Sequence, residues 1–484
     1  MDNDKVTFRA GLVQFSASFA IAALTGLTGI LFAWPSYNVA NFVSNDTVLS
    51  RPMSSVDVSL LGSLTNIGAF VGTPLFGVLM NKLGRKYAAM LAGLPFALAW
   101  TILTLTTSVP LVLVAMFIAG TGTGAQGVTS IYISEISQDS IRGTLTSTVV
   151  STYFIGLLIS YVLGGQLSYA VVIYVLLTIS IVYILMISLL KDSPVYLLQE
   201  GREKEAAASI AFYRQTSSTS KEVEFEIAKI KLQLDPRLEK LLEGDDDATV
   251  NKDLISNSQP EEKLSTWQFL KKSQSSIRAL VVSLISFAIM MFMGNIAVQV
   301  YAEPLFKESA PSLDSNKCSI YLALDLLVAS IGCTLLIDRF GRKFLMVSTC
   351  IGSSICTLIL GSLLQLHWGP DWFTALVIYV YNFIFNIGVA VVPFVLVAEL
   401  FLPEVRSLCS SISLSAAWIM NFITLVIFTP VVEVYGLAPL FYTFSVIGFA
   451  GAIYCAYYQP ETNGLSIDHI QSLFLKKSKK KAVV

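Results

Sequence analysis

Twelve stretches of predominantly apolar residues run along this chain, each followed by a polar break. A helix rises about 1.5 Å per residue, so about 20 apolar residues cross the hydrocarbon core of a bilayer. The pattern predicts membrane-spanning helices at roughly 11–34, 57–80, 87–107, 110–133, 146–167, 169–190, 278–301, 319–337, 344–365, 372–398, 408–430 and 437–458. Pro110 divides the third from the fourth, and the fifth and sixth run together around Gly164-Gly165. One long polar stretch, 191–277, interrupts the series.

The polar breaks carry a repeat. Asn81-Lys82-Leu83-Gly84-Arg85-Lys86 and Asp338-Arg339-Phe340-Gly341-Arg342-Lys343 are the same basic turn, each set between two apolar stretches. Cations between spans favour the cytoplasmic side. Two copies on one side imply a duplicated membrane domain, the second half inserted in the same orientation as the first. Six spans per half satisfy that parity. The remaining charges agree: Arg142, Arg406 and the Lys476 to Lys481 cluster fall on the side of these turns. The other side holds little beyond Arg51, Lys307 and Lys317. Both termini are then cytoplasmic. The predicted fold class is an all-α membrane protein of 12 transmembrane helices in two six-helix halves, 1–190 and 278–458. Between them lies a cytoplasmic central loop with short helices, 191–277, and after them a tail, 459–484.

Composition fits this picture and removes alternatives. Hydrophobic residues make up 54% of the 484 and charged residues 13%, against about 25% charged in soluble domains. A net charge of −1 names no partner and gives no sign of nucleic acid. The start, Met1-Asp2-Asn3-Asp4-Lys5, lacks the basic flank of a signal peptide, so the first span serves as its own insertion signal. The six cysteines, all in the second half, form no CxxC pair, and only His367 and His469 are present. No metal site, disulfide, cofactor or His-based enzyme site is expected, and no phosphate loop or nucleophile–base pair occurs. Asn45-Asp46-Thr47 is a glycosylation sequon in the first outer loop. In the central loop, 201–215 and 221–242 read as surface helices, the second with Phe225, Ile227, Ile230 and Leu232 as its apolar stripe. The acidic run 243–259 reads as disordered. The lysine-rich tail either touches anionic lipid or is simply solvated.

More specific motifs follow the same order. Ile131-Tyr132-Ile133-Ser134-Glu135 precedes Arg142-Gly143-Thr144-Leu145, and Asp192-Ser193-Pro194 opens the segment after span six. Glu399-Leu400-Phe401 leads to Arg406, and Pro460-Glu461-Thr462-Asn463-Gly464 follows span twelve. With the two G-R-K turns, the chain over nearly its whole length resembles the sugar-porter family of the major facilitator superfamily. It is most similar to the insect facilitative branch, which includes trehalose and glucose carriers. The resemblance implies alternating access to a site between the halves, and a sugar (hexose, trehalose or polyol) moved by facilitated diffusion. It also implies a plasma-membrane location, with a monomer as the functional unit. Arg85, Glu135 and Arg142 in one half, and Asp338, Arg342, Glu399 and Arg406 in the other, are expected to form charge networks at the cytoplasmic helix ends. These are either gate elements that break on opening or static ion pairs. Asn81 stands where the family usually has an acid; Asp338 keeps it.

A sugar needs hydrogen-bonding partners in an apolar cleft, because an unpaired buried polar group costs about 1–3 kcal/mol. Here the chain departs from its family. The resemblance calls for two adjacent glutamines and then Ser-Gly-Ile-Asn in span seven; this chain has Met290-Met291-Phe292-Met293-Gly294-Asn295-Ile296. Val150 replaces a glutamine in span five, Met116 an arginine in span four, and Phe394 a tryptophan in span ten, while Trp418 and Asn421 are kept. The remaining substrate-binding candidates are Asn295, Gln299, Asn382, Asn386, Phe394, Trp418 and Asn421, with Asn66 and Gln126 behind them. Asn295 and Gln299 share a helix face, as do Asn382 and Asn386; such pairs either bind ligand or join helices. Met290, Met291 and Met293 read as packing, or, facing the cleft, as a preference for a less polar ligand.

Asp325 is the one carboxylate well inside a span. It is a possible proton site, or a hydrated acid near the outer surface capped by Lys317. Proton-coupled relatives keep an acid in span one, where this chain has Ala33-Trp34-Pro35, which favours facilitated diffusion. Three functions remain open: a sugar or polyol uniporter, a proton-coupled or other small-solute carrier, and a transport-dead receptor or scaffold of the same fold.

Overall fold

The computed structural model describes residues 6–233, 270–271, 273–401, 403–463, 465, 469–470 and 473–474, with some side chains inside these ranges, Asp338 and Arg406 among them, left outside the described set. The acidic run 243–259 and the lysine cluster 476–481 also lie outside the described residues. Among the described residues the regular structure is helical, and 12 helices are long and apolar enough to cross a membrane. They are Phe8–Phe42, Ser55–Leu83, Arg85–Leu105, Val109–Ile136, Arg142–Gln166 and Tyr169–Leu189, then Gln274–Val300, Ser315–Cys333, Arg342–Leu366, Asp371–Val397, Leu408–Tyr435 and Leu437–Tyr458, here called spans 1 to 12.

Span 1 outruns its expected end at 34. The helix carries Pro35 inside it and continues to Phe42. Packing explains why: Trp34 meets the rings of Phe42 and Trp100 at 5.5 and 5.8 Å, so the added turns bury aromatic surface. Three other spans are interrupted. Span 4 breaks between Thr123 and Gln126, span 10 between Ile387 and Val392, and span 7 at Met293-Gly294.

Within the first half, span 1 packs along span 5 and span 2 along span 4; within the second, span 7 packs along span 11 and span 9 along span 12. Small residues permit this closeness, since lipid supplies no hydrophobic drive between helices. A Cβ on Gly156 of span 5 would lie 2.0 Å from the carbonyl oxygen of Gly26 in span 1. The halves meet through two like pairs, span 2 with span 11 and span 5 with span 8.

Short helices Pro194–Gln199, Glu203–Arg214 and Lys221–Gln233 follow span 6. Ile210, Val223, Ile227 and Ile230 form a small core of their own there. The buried row runs 223, 227, 230, the spacing of one helix face. Phe225 lies half a turn away and is 62% exposed, so the expected stripe was misphased at that residue. Leu232 lies outside the described side chains.

Candidate functional site

Each G-R-K turn is built on a glycine in a left-handed backbone region. Gly84 (φ 93°) and Gly341 (φ 83°) end one helix and begin the next. A Cβ on Gly84 would lie 2.3 Å from Asp192 Oδ2, and one on Gly341 2.6 Å from Glu461 Oε2. Glycine therefore lets a carboxylate seat against the first N–H groups of the following helix, which lack intrahelical acceptors. The Lys86 N–H donates to Asp192 Oδ1 at 3.0 Å. The Arg342 and Lys343 N–H groups donate to the two oxygens of Glu461 at 2.9 and 3.1 Å. Burial pushes the Glu461 carboxyl up, but the backbone donors of Asn463, Arg342, Lys343 and Thr462 outweigh it and hold the group below its ordinary range.

The adjacent arginines complete the device. Arg85 grips Glu135 through Nε and Nη2 at 2.8 and 2.9 Å, with its guanidinium 5.4 Å over the Tyr196 ring. The Ser193 hydroxyl donates to the same carboxylate. In the other half Arg342 donates to Glu399 Oε1 from Nε and Nη2 at 3.2 and 2.9 Å, and the Thr462 hydroxyl donates to Glu399 Oε2 at 2.5 Å. Asp192-Ser193 and Glu461-Thr462 thus do one job in two halves. In the sequence these four residues stand only as letters of two motifs, and their like placement after spans 6 and 12 is the signal of a shared role. Arg142 lines the same cavity as Glu135 but takes a different partner. It pairs with Asp139 at 2.5 Å, an acid shared with Lys229. The Lys229 hydrogen bond, against some burial and with help from Arg142, holds the Asp139 carboxyl below its ordinary range. Asp338 and Arg406 fall outside the described side chains.

A second constellation lies where the halves meet. The break in span 7 depends on Gly294, at φ 83°, where a Cβ would sit 2.2 Å from the Phe444 ring. Just beyond it, Asn295 Nδ2 donates to Asn382 Oδ1 at 2.6 Å, and Gln299 Nε2 donates to Asn295 Oδ1 at 2.7 Å. Span 5 reaches across: the Tyr153 hydroxyl donates to Gln299 Oε1 at 3.0 Å, and the Tyr161 hydroxyl to the Gln299 carbonyl. Asn386 Nδ2 donates to the Asn382 carbonyl at 2.9 Å. Asn295, Gln299, Asn382 and Asn386 are all buried. A second crossing joins spans 2 and 11, where Asn421 Nδ2 donates to Asn66 Oδ1 at 2.8 Å and Trp418 Nε1 to Thr73 Oγ1 at 3.2 Å. Asn421 Oδ1 is buried without a partner.

Residues 12–474 match the family model described as Sugar (and other) transporter. The chain belongs to that family. The facilitated trehalose transporter Tret1 of Culex quinquefasciatus is 23% identical over 467 residues, covering 95% of this chain and 85% of that protein. The Tret1 of Aedes aegypti is 24% identical over 469 residues, covering 95% of this chain and 54% of the relative, so the chain spans about half of some relatives it matches. Among solved structures, the inward-open xylose transporter XylE of E. coli superposes with a TM-score of 0.74 at 19% identity, covering 95% of this chain and 99% of that one. The fold is that of the major facilitator superfamily, and the chain is a multi-pass membrane carrier of the sugar transporter family.

The carrier's other candidate residues stand apart from the amide chain. Phe394 packs edge-on against Phe287 at 5.1 Å and is 44% exposed. Gln126 is half-buried just after the break in span 4. Met293 is fully buried, beside the position a Cβ on Gly448 would take, which is packing against span 12. Asp325 Oδ2 is buried without a hydrogen-bond partner. Lys317 does not cap it: the lysine pairs with Asp314 three residues earlier, at 3.3 Å. One helical turn is within its reach and the eight residues to Asp325 are not. Asn45 is exposed in the loop between spans 1 and 2.

Proposed function

We propose that this carrier moves a sugar or polyol, of the hexose or trehalose kind, by facilitated diffusion. The observation that carries this is the buried amide chain Gln299–Asn295–Asn382, set beside the break in span 7 and closed by hydroxyls from the other half. Broken spans at the junction of two repeats are where carriers of this architecture bind solute. The Arg85–Glu135 and Arg342–Glu399 grips, with the partners given above, each lie within one half. They brace the halves 1–190 and 278–458 as units, which supports rocking rather than helix-by-helix motion. The relatives named as facilitated trehalose transporters support a sugar as the solute.

In this reading the G-R-K turns, the central loop 191–277 and both termini are cytoplasmic, and the plasma membrane is the location. The exposed Asn45 carries a glycan, the functional unit is a monomer in lipid, and the chain performs no enzymatic reaction. The direct test is sugar-dependent quenching of intrinsic tryptophan fluorescence in purified carrier, compared with Asn295→Ala. Saturable quenching by glucose or trehalose, weakened at least fivefold in the variant, is expected. Equal quenching in both, or none in folded wild type, rejects the site.

A proton-coupled reading rests on the unpartnered Asp325 Oδ2. It requires solute accumulation driven by a pH gradient and lost in Asp325→Asn.

A further inference from the structure

The geometry points to Tyr153, Tyr161 and Gln299 as the specificity element of the carrier: two phenol hydroxyls and one residue's two oxygens, parted on outer opening and bridged by a solute with two neighbouring hydroxyls. This rests on the sugar reading above.

The sequence shows the loss of polar lining at Val150, Met290 and Met291. The structure shows polar contacts at other positions. Gln299 uses its Nε2 toward Asn295 within its own half, but both of its oxygens accept from span 5: Oε1 from Tyr153 and the backbone oxygen from Tyr161. Gln299 is 4% exposed and Tyr161 fully buried, so no bulk water competes for the Tyr161 bond in this state, while Tyr153 is half-buried.

Neighbouring contacts place this pair at one end of the half–half junction. The Tyr301 hydroxyl donates to the Val58 carbonyl at 3.2 Å, the Glu303 N–H to Ser36 Oγ at 2.8 Å, and Asn316 Nδ2 to the Tyr161 carbonyl at 3.2 Å. All of these cross between halves, at the ends of spans 2 and 8 opposite the G-R-K turns. When that end opens, span 5 moves off span 7. Two phenol donors and two oxygen acceptors then lose each other and meet water, and a solute that covers them without pairing them leaves each buried group at a cost. A hydroxyl inserted into either gap accepts from the tyrosine and donates to the Gln299 oxygen, because an alcohol does both. Two gaps around one residue call for two hydroxyls close together, as on a vicinal diol. An apolar solute, or one with a single hydroxyl, leaves a gap unfilled.

The experiment uses the full-length carrier in liposomes, with wild type, Tyr153→Phe and Gln299→Leu. Each is first checked for a monodisperse profile and a normal unfolding midpoint. Uptake is measured for glucose and for its single-deoxy analogues. Loss of one hydrogen bond is expected to raise the KM for glucose about three- to tenfold in Tyr153→Phe. One deoxy analogue should show the same KM in wild type and variant, since it already lacks the hydroxyl that tyrosine binds. A merely structural tyrosine shifts all analogues alike, and that result overturns the proposal. So does an unchanged glucose KM in both variants. If wild type takes up no sugar, the sugar reading itself fails, a different outcome read before any variant. If Gln299→Leu does not fold, Tyr153→Phe, which keeps the ring, decides alone.

Discussion

Gln459 ends span 12 with its side chain fully buried and both amide atoms without a partner. It precedes Pro460-Glu461-Thr462 as Leu190 precedes Lys191-Asp192-Ser193 in the other half. An unsatisfied buried polar group costs about 1–3 kcal/mol, whereas an apolar side chain of similar size costs nothing of the kind. Gln459→Leu is therefore expected to stabilise the folded carrier by about 1 kcal/mol, read as a rise in the unfolding midpoint in detergent; an equal drop contradicts it. Glu461 works the other way. Its carboxyl titrates lower when folded than its ordinary 4.5, so the ionised form is the one folding favours. Its contribution is complete above the ordinary value and fades as pH falls through the lowered one. Glu461→Gln should cost stability at neutral pH and flatten the acid limb of the stability profile; an acid limb as steep as wild type counts against it. The arginines were legible in the sequence because the G-R-K turns repeat. Their glutamates Glu135 and Glu399 were legible with them, but the carboxylates that seat on the backbone of the turns were harder, since Asp192 and Glu461 lie a whole helical bundle away along the chain. Asp139 was missed as the partner of Arg142 because a three-residue ion pair at a helix start competes well with the more distant Glu135.

Among elements, span 7 holds the information that hydropathy could not give. Its apolar run was plain, but a window of uniform hydrophobicity does not show that the helix stops and restarts. The break comes from one positive φ, at Gly294, pressed against Phe444 of span 12. It turns Asn295 and Gln299 into the junction between halves. Gly294→Ala meets both backbone strain and a ring, and should lower stability by at least about 1–2 kcal/mol while cutting flux by more than Gly77→Ala, where a Cβ meets nothing within 4 Å. Equal behaviour of the two variants would show that the break is not needed. The same limit explains span 1. The expected end was residue 34, yet ring packing of Trp34 and Phe42 carried the helix through Pro35 to residue 42.

Across the whole molecule, the halves are joined where Tyr301, Glu303 and Asn316 meet Val58, Ser36 and Tyr161. Each half is braced at the other end by its own arginine–glutamate grip. Twelve helices were readable from periodicity and the duplication from the repeated basic turn, while the family was readable only from the resemblance of the ordered motifs. The pairing of Tyr153 with Gln299 was not, because nothing in one sequence sets the register between spans from different halves. Rocking requires these contacts between the halves to part in every cycle. A Ser36→Cys/Glu303→Cys pair, oxidised in liposomes, should therefore block flux and recover on reduction; the six native cysteines are buried and lie elsewhere. Undiminished flux in the crosslinked protein contradicts rocking. The most direct measurement is uptake of labelled glucose, trehalose and a polyol by purified carrier in liposomes, with and without a pH gradient. Saturable uptake that runs to equilibrium and ignores the gradient is the predicted result, and no uptake of any of the three by folded protein would contradict the account.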